Sequence, residues 1–385
     1  MASPELRAAH WNDELERIER AFAETARARD LKGGTPLEER NLLRQSGLLT
    51  LTIGAQHGGQ GESFGTLLDV VRRIARVDSS LAHVFAFHHL MLASLQLFGS
   101  SEQWERAHEE TARDQLFWGN ALNPKDTRAR LTRGPQGYRL SGEKSFCSGA
   151  RDSDRLLVSA IEAETEKLAI LVVPTRREGI EALSDWDAFG QRQTDSGSVI
   201  FREVPVDERE ILRSPGPLTT PRSSIRPCLA QAILAHVYLG IAEGAWSEVS
   251  TLGAAKLGAR ADDPYVLLRA GELSVLLEGA RALAARSRVE VDRALSLGEA
   301  IDERQRGLLA LDVARAKASS TRAGLAVAQG IFEILGPRAT GASRALDRYW
   351  RNVRVHTLHD PVDHKLREIG AFELTGEVPP PSFYS

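Results

Sequence analysis

The sequence is poor in the residues that build disulfide frameworks and thiolate metal sites. Its 385 residues include only two cysteines, Cys147 and Cys228, which lie far apart and outside any CxxC pair. A secreted disulfide scaffold or a zinc ribbon needs more cysteines at closer spacing. We therefore predict that both thiols are small, buried residues without a chemical role.

The chain also lacks a strong charge of either sign. Its formal net charge is -3, and charged residues make up 26% of the sequence. Nucleic acids and anionic membranes are bound by clustered positive charge, so neither is an expected partner. The N-terminal stretch is acidic and helical in pattern rather than a secretion signal, and we count no apolar run long enough to span a bilayer. We expect a cytoplasmic protein that binds a small molecule.

Three common phosphate and metal motifs are missing. The glycines at residues 56–61 are not followed by a GK[ST] triplet, no GxGxxG follows a predicted strand, and no HExxH occurs. His356 and His359 lie three residues apart, and two aspartates follow them closely. A predicted helix start interrupts this segment and gives both aspartates a capping role, so we predict no metal site.

The apolar pattern divides the chain into an α+β arrangement of three parts and a tail. Residues 1–115 carry apolar side chains at helical spacing, which predicts a helical N-terminal domain. Residues 116–213 contain short alternating segments separated by turn residues, which predicts a β-domain. Residues 225–375 return to long helices rich in Ala and Leu, typical of a four-helix bundle with subunits packed against it. Residues 376–385 contain three consecutive prolines, which predicts an extended tail.

Six of the ten histidines fall in two tight groups, which makes both groups candidates for proton transfer because histidine titrates near neutral pH. The groups are His83, His88 and His89 in an apolar helix, and His356, His359 and His364 near the end of the chain. The alternative is that histidines on Ala- and Leu-rich helices are core residues with satisfied hydrogen bonds. Both explanations stay open.

A predicted helix start gives His359 a particular electrostatic setting. Asp360 is a natural N-cap, Pro361 a natural first helical residue, and Asp363 a first-turn acid. His359 would then stand just before the positive end of a helix dipole, which disfavours the imidazolium ion. We predict a neutral imidazole that is able to accept a proton.

Two stretches of the predicted β-domain combine aromatic residues with glycines and small hydroxyl side chains. They are residues 144–150, KSFCSGA, and residues 186–198, WDAFGQRQTDSGS. Such a combination could border a flat ring while hydroxyl and N–H groups bind its polar edge. Strand and turn chemistry alone would explain the same composition.

Four segments carry a resemblance to a known family: SGEKSFCSGARDSD, WDAFGQRQTDSGSV, FEILGPRATGASRALDRYWRNVRVHTLHDP and HKLREIGAFEL. Together with the order of helices, sheet and helices, they resemble the acyl-CoA dehydrogenase superfamily over about residues 10–375. The resemblance is to the branch of dibenzothiophene monooxygenase and of the sulfur-acquisition flavoproteins related to dimethyl sulfone. It implies an acyl-CoA dehydrogenase-like fold, with a helical N-terminal domain, a β-barrel-like middle domain and a C-terminal four-helix bundle, assembled as a homotetramer.

The resemblance also implies a two-component monooxygenase. In this branch a separate flavin reductase delivers reduced FMN, and dioxygen adds at the flavin C4a. The resulting hydroperoxide passes one oxygen atom to a small organosulfur compound or a related aromatic or heteroatom compound. FMN rather than FAD is therefore the expected flavin, with a small-molecule substrate, dioxygen and the reductase as partners.

Catalytic roles follow from the same resemblance. Asn120 and Ser148 would lie near the reactive edge of the isoalloxazine ring. His89, with His88 as its competitor, and His359 would line the same cavity and manage protons.

The resemblance assigns further residues to cofactor and substrate. Phe146 would border the flavin together with Ser148, and Trp186 would flank it. Arg260 and Arg338 would meet the flavin phosphate or that of a neighbouring subunit. Leu92, together with His88, would belong to the substrate pocket.

Two departures from the family pattern bear on the reaction. Acyl-CoA dehydrogenases commonly carry a Tyr-Glu-Gly-Thr segment whose glutamate removes the α-proton, and this chain has LHDPVDHKL in its place. Glu243 lies near an alternative position for that base, which keeps an FAD-dependent acyl-CoA dehydrogenase or flavin oxidase as the alternative. The segment after His89 reads Leu90-Met91-Leu92-Ala93, without the tyrosine expected in a dibenzothiophene pocket, so the substrate stays open.

Overall fold

The computed structural model describes residues 4–135, 137–253 and 257–385, with side chains from Trp11 onward. Five helices form its N-terminal part: α1 (Pro4–Lys32), α2 (Leu37–Gln45), α3 (Phe64–Val77), α4 (Ser79–Phe98) and α5 (Ser101–Asp114). The fourth of these, α4, is apolar around nearly its whole circumference and is buried along its length. Asp78 caps α4 by accepting a hydrogen bond from the Leu81 N–H at 3.0 Å.

The described residues of the middle part form seven strands: β1 (Trp118–Ala121), β2 (Arg130–Gly134), β3 (Gly137–Lys144), β4 (Arg155–Glu162), β5 (Leu168–Pro174), β6 (Ile180–Ala182) and β7 (Val199–Val206). They pair as one sheet in the order β1-β4-β2-β3-β7-β6, and β5 pairs with β4. The two aromatic- and hydroxyl-rich stretches belong to the β3–β4 loop (residues 145–154) and the β6–β7 loop (residues 183–198).

Main-chain hydrogen bonds join these two loops. The Cys147 N–H donates to the Gly197 carbonyl at 2.9 Å, and the Gly149 N–H donates to the Thr194 carbonyl at 3.0 Å. The Asn120 N–H at the end of β1 donates to the Ser148 carbonyl at 3.1 Å. Segments far apart in the sequence therefore converge at one end of the sheet.

The described residues of the C-terminal part include five long helices: α6 (Arg226–Ser250), α7 (Pro264–Ser296), α8 (Glu303–Leu335), α9 (Asp347–Thr357) and α10 (Val362–Thr375). The long α8 packs against α6, α7, α9 and α10. Its start is set by a capping box, in which Asp302 and Gln305 satisfy each other's backbone N–H groups. The predicted order of a helical N-terminal part, a sheet and a set of C-terminal helices is confirmed.

Two helices correct our reading of the apolar runs. By length and composition alone, α4 and the helical stretch Ser223–Ser250, which contains α6, are long and apolar enough to cross a membrane. Their apolar windows are 89% and 94% buried inside the protein, however, so both are core helices. Cys147 and Cys228 are free and buried, as predicted, and burial raises the pKa of the Cys147 thiol to about 12.

Candidate active site

A cavity of about 400 Å³ lies where the helical N-terminal part, the sheet and the C-terminal helices meet. All three parts contribute to its wall, which is formed by His83, Phe87, Asn120, Asn123, Lys125, Phe146, Ser148, Trp186, Gln191, Thr194, Ser196, Leu234, Val355, His356, Leu358, His359 and Tyr384. Within the described parts of the chain, no carboxylate lines this cavity. The wall is therefore aromatic and polar, with Lys125 as its cation.

The histidine of α4 that lines the cavity is His83, which corrects the sequence assignment of His89 or His88. His88 uses both ring nitrogens in the core: Nε2 donates to the Leu49 carbonyl at 2.7 Å, and Nδ1 accepts from the Trp118 N–H at 3.1 Å. Its ring has no nitrogen left for a substrate, so His88 is a structural residue.

His89 is satisfied in the same way. Its Nε2 bonds to the Leu48 carbonyl at 3.0 Å, and its Nδ1 to the Thr52 hydroxyl at 2.9 Å. Leu92 is also in the apolar core, 1% exposed, and outside the cavity wall. Helix geometry explains why His83 lines the cavity while His88 and His89 do not. Phe87, four residues after His83, lies on the same face of α4, whereas His88 and His89, five and six residues after His83, do not. His83 and Phe87 thus face the cavity together.

A chain of hydroxyl groups fixes the proton positions on His83. The Thr194 hydroxyl donates to the Gln191 carbonyl at 3.0 Å, so the Ser196 hydroxyl must donate to Thr194 Oγ1 at 2.7 Å. The Ser148 hydroxyl lies 2.8 Å from Ser196 Oγ and has to donate to it. His83 Nε2, 2.9 Å from Ser148 Oγ, must then carry the proton of the last bond. This tautomer leaves a lone pair on His83 Nδ1.

That lone pair has no hydrogen-bond partner among the described residues, although the atom is buried. The same holds for Nδ1 of His356, whose ring lies 4.8 Å from the His83 ring between centroids. Burial lowers the pKa of His83 to about 3 and the pKa of His356 well below its ordinary value. Both rings are therefore neutral at pH 7, with unused nitrogen atoms beside the cavity.

His359 is neutral for a different reason from the one we predicted. Asp360 does not cap α10, which begins at Val362 without a side-chain cap. Its Oδ2 instead accepts a hydrogen bond at 2.8 Å from Lys317 Nζ on α8, and both side chains are buried. His359 is exposed at the surface of the chain, but desolvation by surrounding protein atoms first, and then the positive charge of Lys317, lower its pKa. The predicted direction holds, with desolvation as the largest cause and the buried ammonium group of Lys317 as the second.

The other wall presents flat aromatic groups. Phe146 is 60% exposed and has a backbone φ of +60°, a strained conformation for a bulky residue. Its ring meets Trp186 edge to face, with centroids 6.1 Å apart. Asn120 uses its Oδ1 to accept from the Leu122 N–H at 3.1 Å, which leaves its amide N–H groups as donors. These residues fit a flat ring with a polar edge, as the isoalloxazine of FMN has.

The cavity wall does not include Arg260 or Arg338, predicted to meet a flavin phosphate, or Glu243, the alternative base. Arg260 donates from Nε to the Ile334 carbonyl at 3.1 Å at the end of α8, and Arg338 is exposed on the following turn. Glu243 is 4% exposed and accepts from Arg72 at 2.9 Å and from Arg281 at 2.8 Å. A carboxylate held by two guanidinium groups outside the cavity is not placed to remove a substrate proton there.

The sequence did not point to several of the residues in the cavity wall. His83 was one of three histidines in a group, and only the helical phase relative to Phe87 separates it from the other two. Lys125 lies in the β1–β2 loop, and Tyr384 in the tail, with Lys125 Nζ 3.9 Å from the centre of the Tyr384 ring. No local motif marks these two positions.

Comparison with known proteins identifies the family. Models of the N-terminal, middle and C-terminal domains of acyl-CoA dehydrogenase match residues 14–115, 119–204 and 232–364. The chain is 48% identical over 373 residues to the "Probable FMNH2-dependent monooxygenase SfnC" of Pseudomonas putida, and the match covers 94% of each chain.

Two solved structures share the fold and most of the length. Methanesulfinate monooxygenase MsuC from Pseudomonas fluorescens is 47% identical, with a TM-score of 0.94 over 97% of this chain and 99% of that one. Dibenzothiophene monooxygenase TdsC from Paenibacillus sp. A11-2, solved with FMN and indole, is 37% identical, with a TM-score of 0.92 over the same shares. The chain therefore belongs to the acyl-CoA dehydrogenase family, in its branch of FMN-dependent monooxygenases.

Proposed function

We propose that this monooxygenase oxygenates a small organosulfur compound in the cavity at the junction of its three parts. The observation that carries the proposal is the pair of neutral histidines, His83 and His359, in a wall without a described carboxylate. When bound, reduced FMN would activate dioxygen and supply the oxygen atom that reaches the substrate. FMN is the cofactor that the relatives use.

Four residues are proposed to hold the isoalloxazine ring. Phe146 and Trp186 would border its faces, since both are aromatic and Phe146 is left largely uncovered by the chain. Ser148 and Asn120 would bind its polar edge through a hydroxyl group and amide N–H groups. Hydrogen bonds from fixed side chains orient the ring without the cost of reorganising solvent.

The two histidines are proposed to control protons at the reacting atoms. The hydroxyl chain orients His83. Its Nε2 already carries a proton, so only Nδ1, whose lone pair has no hydrogen-bond partner among the described residues, can accept one. His359 stays neutral beside Lys317, so it adds no stray acid to a site where protons favour the release of hydrogen peroxide.

Cavity size favours a small substrate. Ligand sites commonly measure roughly 300 to 1,000 Å³, and this cavity, at about 400 Å³, must also admit part of the flavin. The relatives named above act on methanesulfinate and on dibenzothiophene. The volume, and Lys125 as the one cation among the described wall residues, favour a compound of the size and charge of an alkanesulfinate over a three-ring thiophene.

The decisive experiment supplies reduced FMN through a flavin reductase under air and measures product with each substrate. We expect methanesulfinate or a similar small sulfinate to be oxidised, with dibenzothiophene a poorer substrate. Bleaching of bound flavin by an acyl-CoA, without product from any sulfur compound, would instead support the dehydrogenase alternative. The Glu243 contacts argue against that outcome, because both of its oxygen atoms are engaged with arginines.

We further propose a cytoplasmic homotetramer that meets its reductase transiently. The support is the exposed apolar face of α7, where Tyr265 is 80% exposed, Val275 74% and Leu268 61%. Large apolar patches on a surface mark subunit contacts. In such an assembly Arg260 and Arg338 could reach the FMN phosphate of a neighbouring subunit. Light scattering should give four times the 42.2 kDa chain mass, and Leu268→Glu should lower it.

A further inference from the structure

A charged side chain lies in the bundle core where packing alone would call for an apolar residue. Lys317 on α8 is 1% exposed, and its Nζ donates to Asp360 Oδ2 at 2.8 Å and to the side-chain oxygen of Gln231 on α6. Removing an ammonium and a carboxylate from water is costly, and apolar residues of similar volume often stabilise a core as well or better. The pair therefore calls for an explanation other than stability.

The position of the Lys317–Asp360 pair supplies such an explanation, because Asp360 directly follows His359 in the chain. The turn that carries His359 is tied to the bundle at both ends. On one side Lys317 holds Asp360, and on the other the Tyr238 hydroxyl donates to the His356 carbonyl at 2.9 Å. Asp360 gives up the capping role at α10 that the sequence predicted for it. Helix α10 therefore begins without a side-chain cap, and the turn that carries His359 is held by the buried Lys317–Asp360 hydrogen bond instead.

We propose that Lys317 is a positioning residue of the active site: through Asp360 it holds the turn that carries His359, and its charge opposes protonation of that ring. The proposal rests on the proposed role of His359 in proton control. Lys317 itself is absent from the cavity wall and acts through its neighbours.

Other charged or titratable groups also surround His359, but none of them opposes protonation of its ring as strongly as Lys317 does. They are Lys125 of the β1–β2 loop, Arg226 of α6, His83 of α4, His356 of α9 and Tyr384 of the tail, with Asp360 as the acid. Lys317 has the largest electrostatic influence of them on the pKa of His359. Burial lowers the pKa of Lys317 to about 8, so its charge is present throughout the range below 6.5 in which His359 titrates.

The test is a histidine NMR titration of the FMN-free protein, with the His359 signals assigned by their loss in His359→Gln. Lys317→Met should raise the pKa of His359 by on the order of one unit, the usual effect of removing one nearby charge. Lys317→Arg keeps the positive charge and should keep the low value. Lys317→Met combined with Asp360→Asn removes both charges and should give a value between those of wild type and Lys317→Met.

An unchanged His359 pKa in folded Lys317→Met would overturn the proposal, as would equal shifts in the Met and Arg variants. If Lys317→Met does not fold, the double variant, which leaves no lone buried charge, decides the matter: a wild-type value there also overturns it. Product and hydrogen peroxide yields form a separate readout. Failure of wild-type protein to oxidise any sulfur compound would overturn the proposed function and leave the titration result standing.

Discussion

His83→Gln, paired with His89→Gln, tests the position of the catalytic histidine. A glutamine amide reaches about as far as histidine Nε2, so in the first variant it can still donate to Ser148 and keep the hydroxyl chain intact. What it lacks is the bare Nδ1. A positioned acid–base group contributes roughly 100- to 10,000-fold to rate, and we expect product formation to fall within that range while hydrogen peroxide release rises.

We expect the variant with the larger loss of activity, His83→Gln, to have the smaller loss of stability, and His89→Gln the larger. His83→Gln loses the stacked contact with Phe87, whose ring centre lies 4.1 Å away, at a cost of about 0.5 to 1.5 kcal/mol. His89→Gln can keep the bond to the Leu48 carbonyl but leaves the Thr52 hydroxyl without a partner, which costs about 1 to 3 kcal/mol. Its product yield per folded molecule should stay within about threefold of wild type, a change of roughly 0.7 kcal/mol or less in the barrier.

The assay combines three measurements on each variant: product formed, hydrogen peroxide released per reduced FMN, and urea unfolding. The reasoning would be refuted if His89→Gln, corrected for its folded fraction, lost oxygenation while His83→Gln kept it. That result would return the catalytic role to the histidine first chosen from the sequence.

Three further predictions test the cofactor wall, the core histidines and the acid that a dehydrogenase would need. Phe146→Ala should weaken FMN binding, measured by fluorescence titration, with little change in unfolding free energy because this ring is 60% exposed; unchanged affinity would exclude it from the flavin site. Stability should fall as pH drops from 6.5 toward 5, by about 1.4 kcal/mol per pH unit for each of His83 and His88. The reason is that their pKa in the folded protein is about 3, so only the unfolded chain binds those protons between pH 6.5 and 5. Urea unfolding at a series of pH values measures this loss, and an unfolding free energy that does not change with pH contradicts it. Glu243→Gln should leave oxygenation unchanged and lower stability by about 1.5 to 3 kcal/mol through weaker bonds to Arg72 and Arg281; lost catalysis in a stable variant would revive the dehydrogenase alternative.

Helices and strands were predictable where the pattern is local. The long α7 and α8 follow from apolar periodicity and from capping residues at their starts, Asp263 and Asp302, and the short strands follow from alternation between turns. Sequence motifs also sufficed to recognise the family and its FMN-dependent branch, because Ser148, Phe146 and Trp186 lie within distinctive segments.

Helical phase and side-chain competition were not predictable in the same way. Whether His83, His88 or His89 meets the cavity depends on how α4 is rotated against the sheet, and that rotation is set by packing over its whole buried surface. Asp360 had two possible partners, a backbone N–H of α10 or Lys317, which lies 43 residues earlier in the chain. Only the packing of α8 against α6 and α9 brings that ammonium to the turn.

The sequence by itself determined the order of helices and strands, the family and the kind of flavin chemistry, since these depend on local periodicity and on contiguous motifs. The tertiary structure decided which histidine faces the cavity, that Glu243 is held by arginines, and that desolvation together with a buried lysine lowers the pKa of His359. Those features depend on contacts between residues distant in the chain. Their geometry exists only once the three parts have packed together.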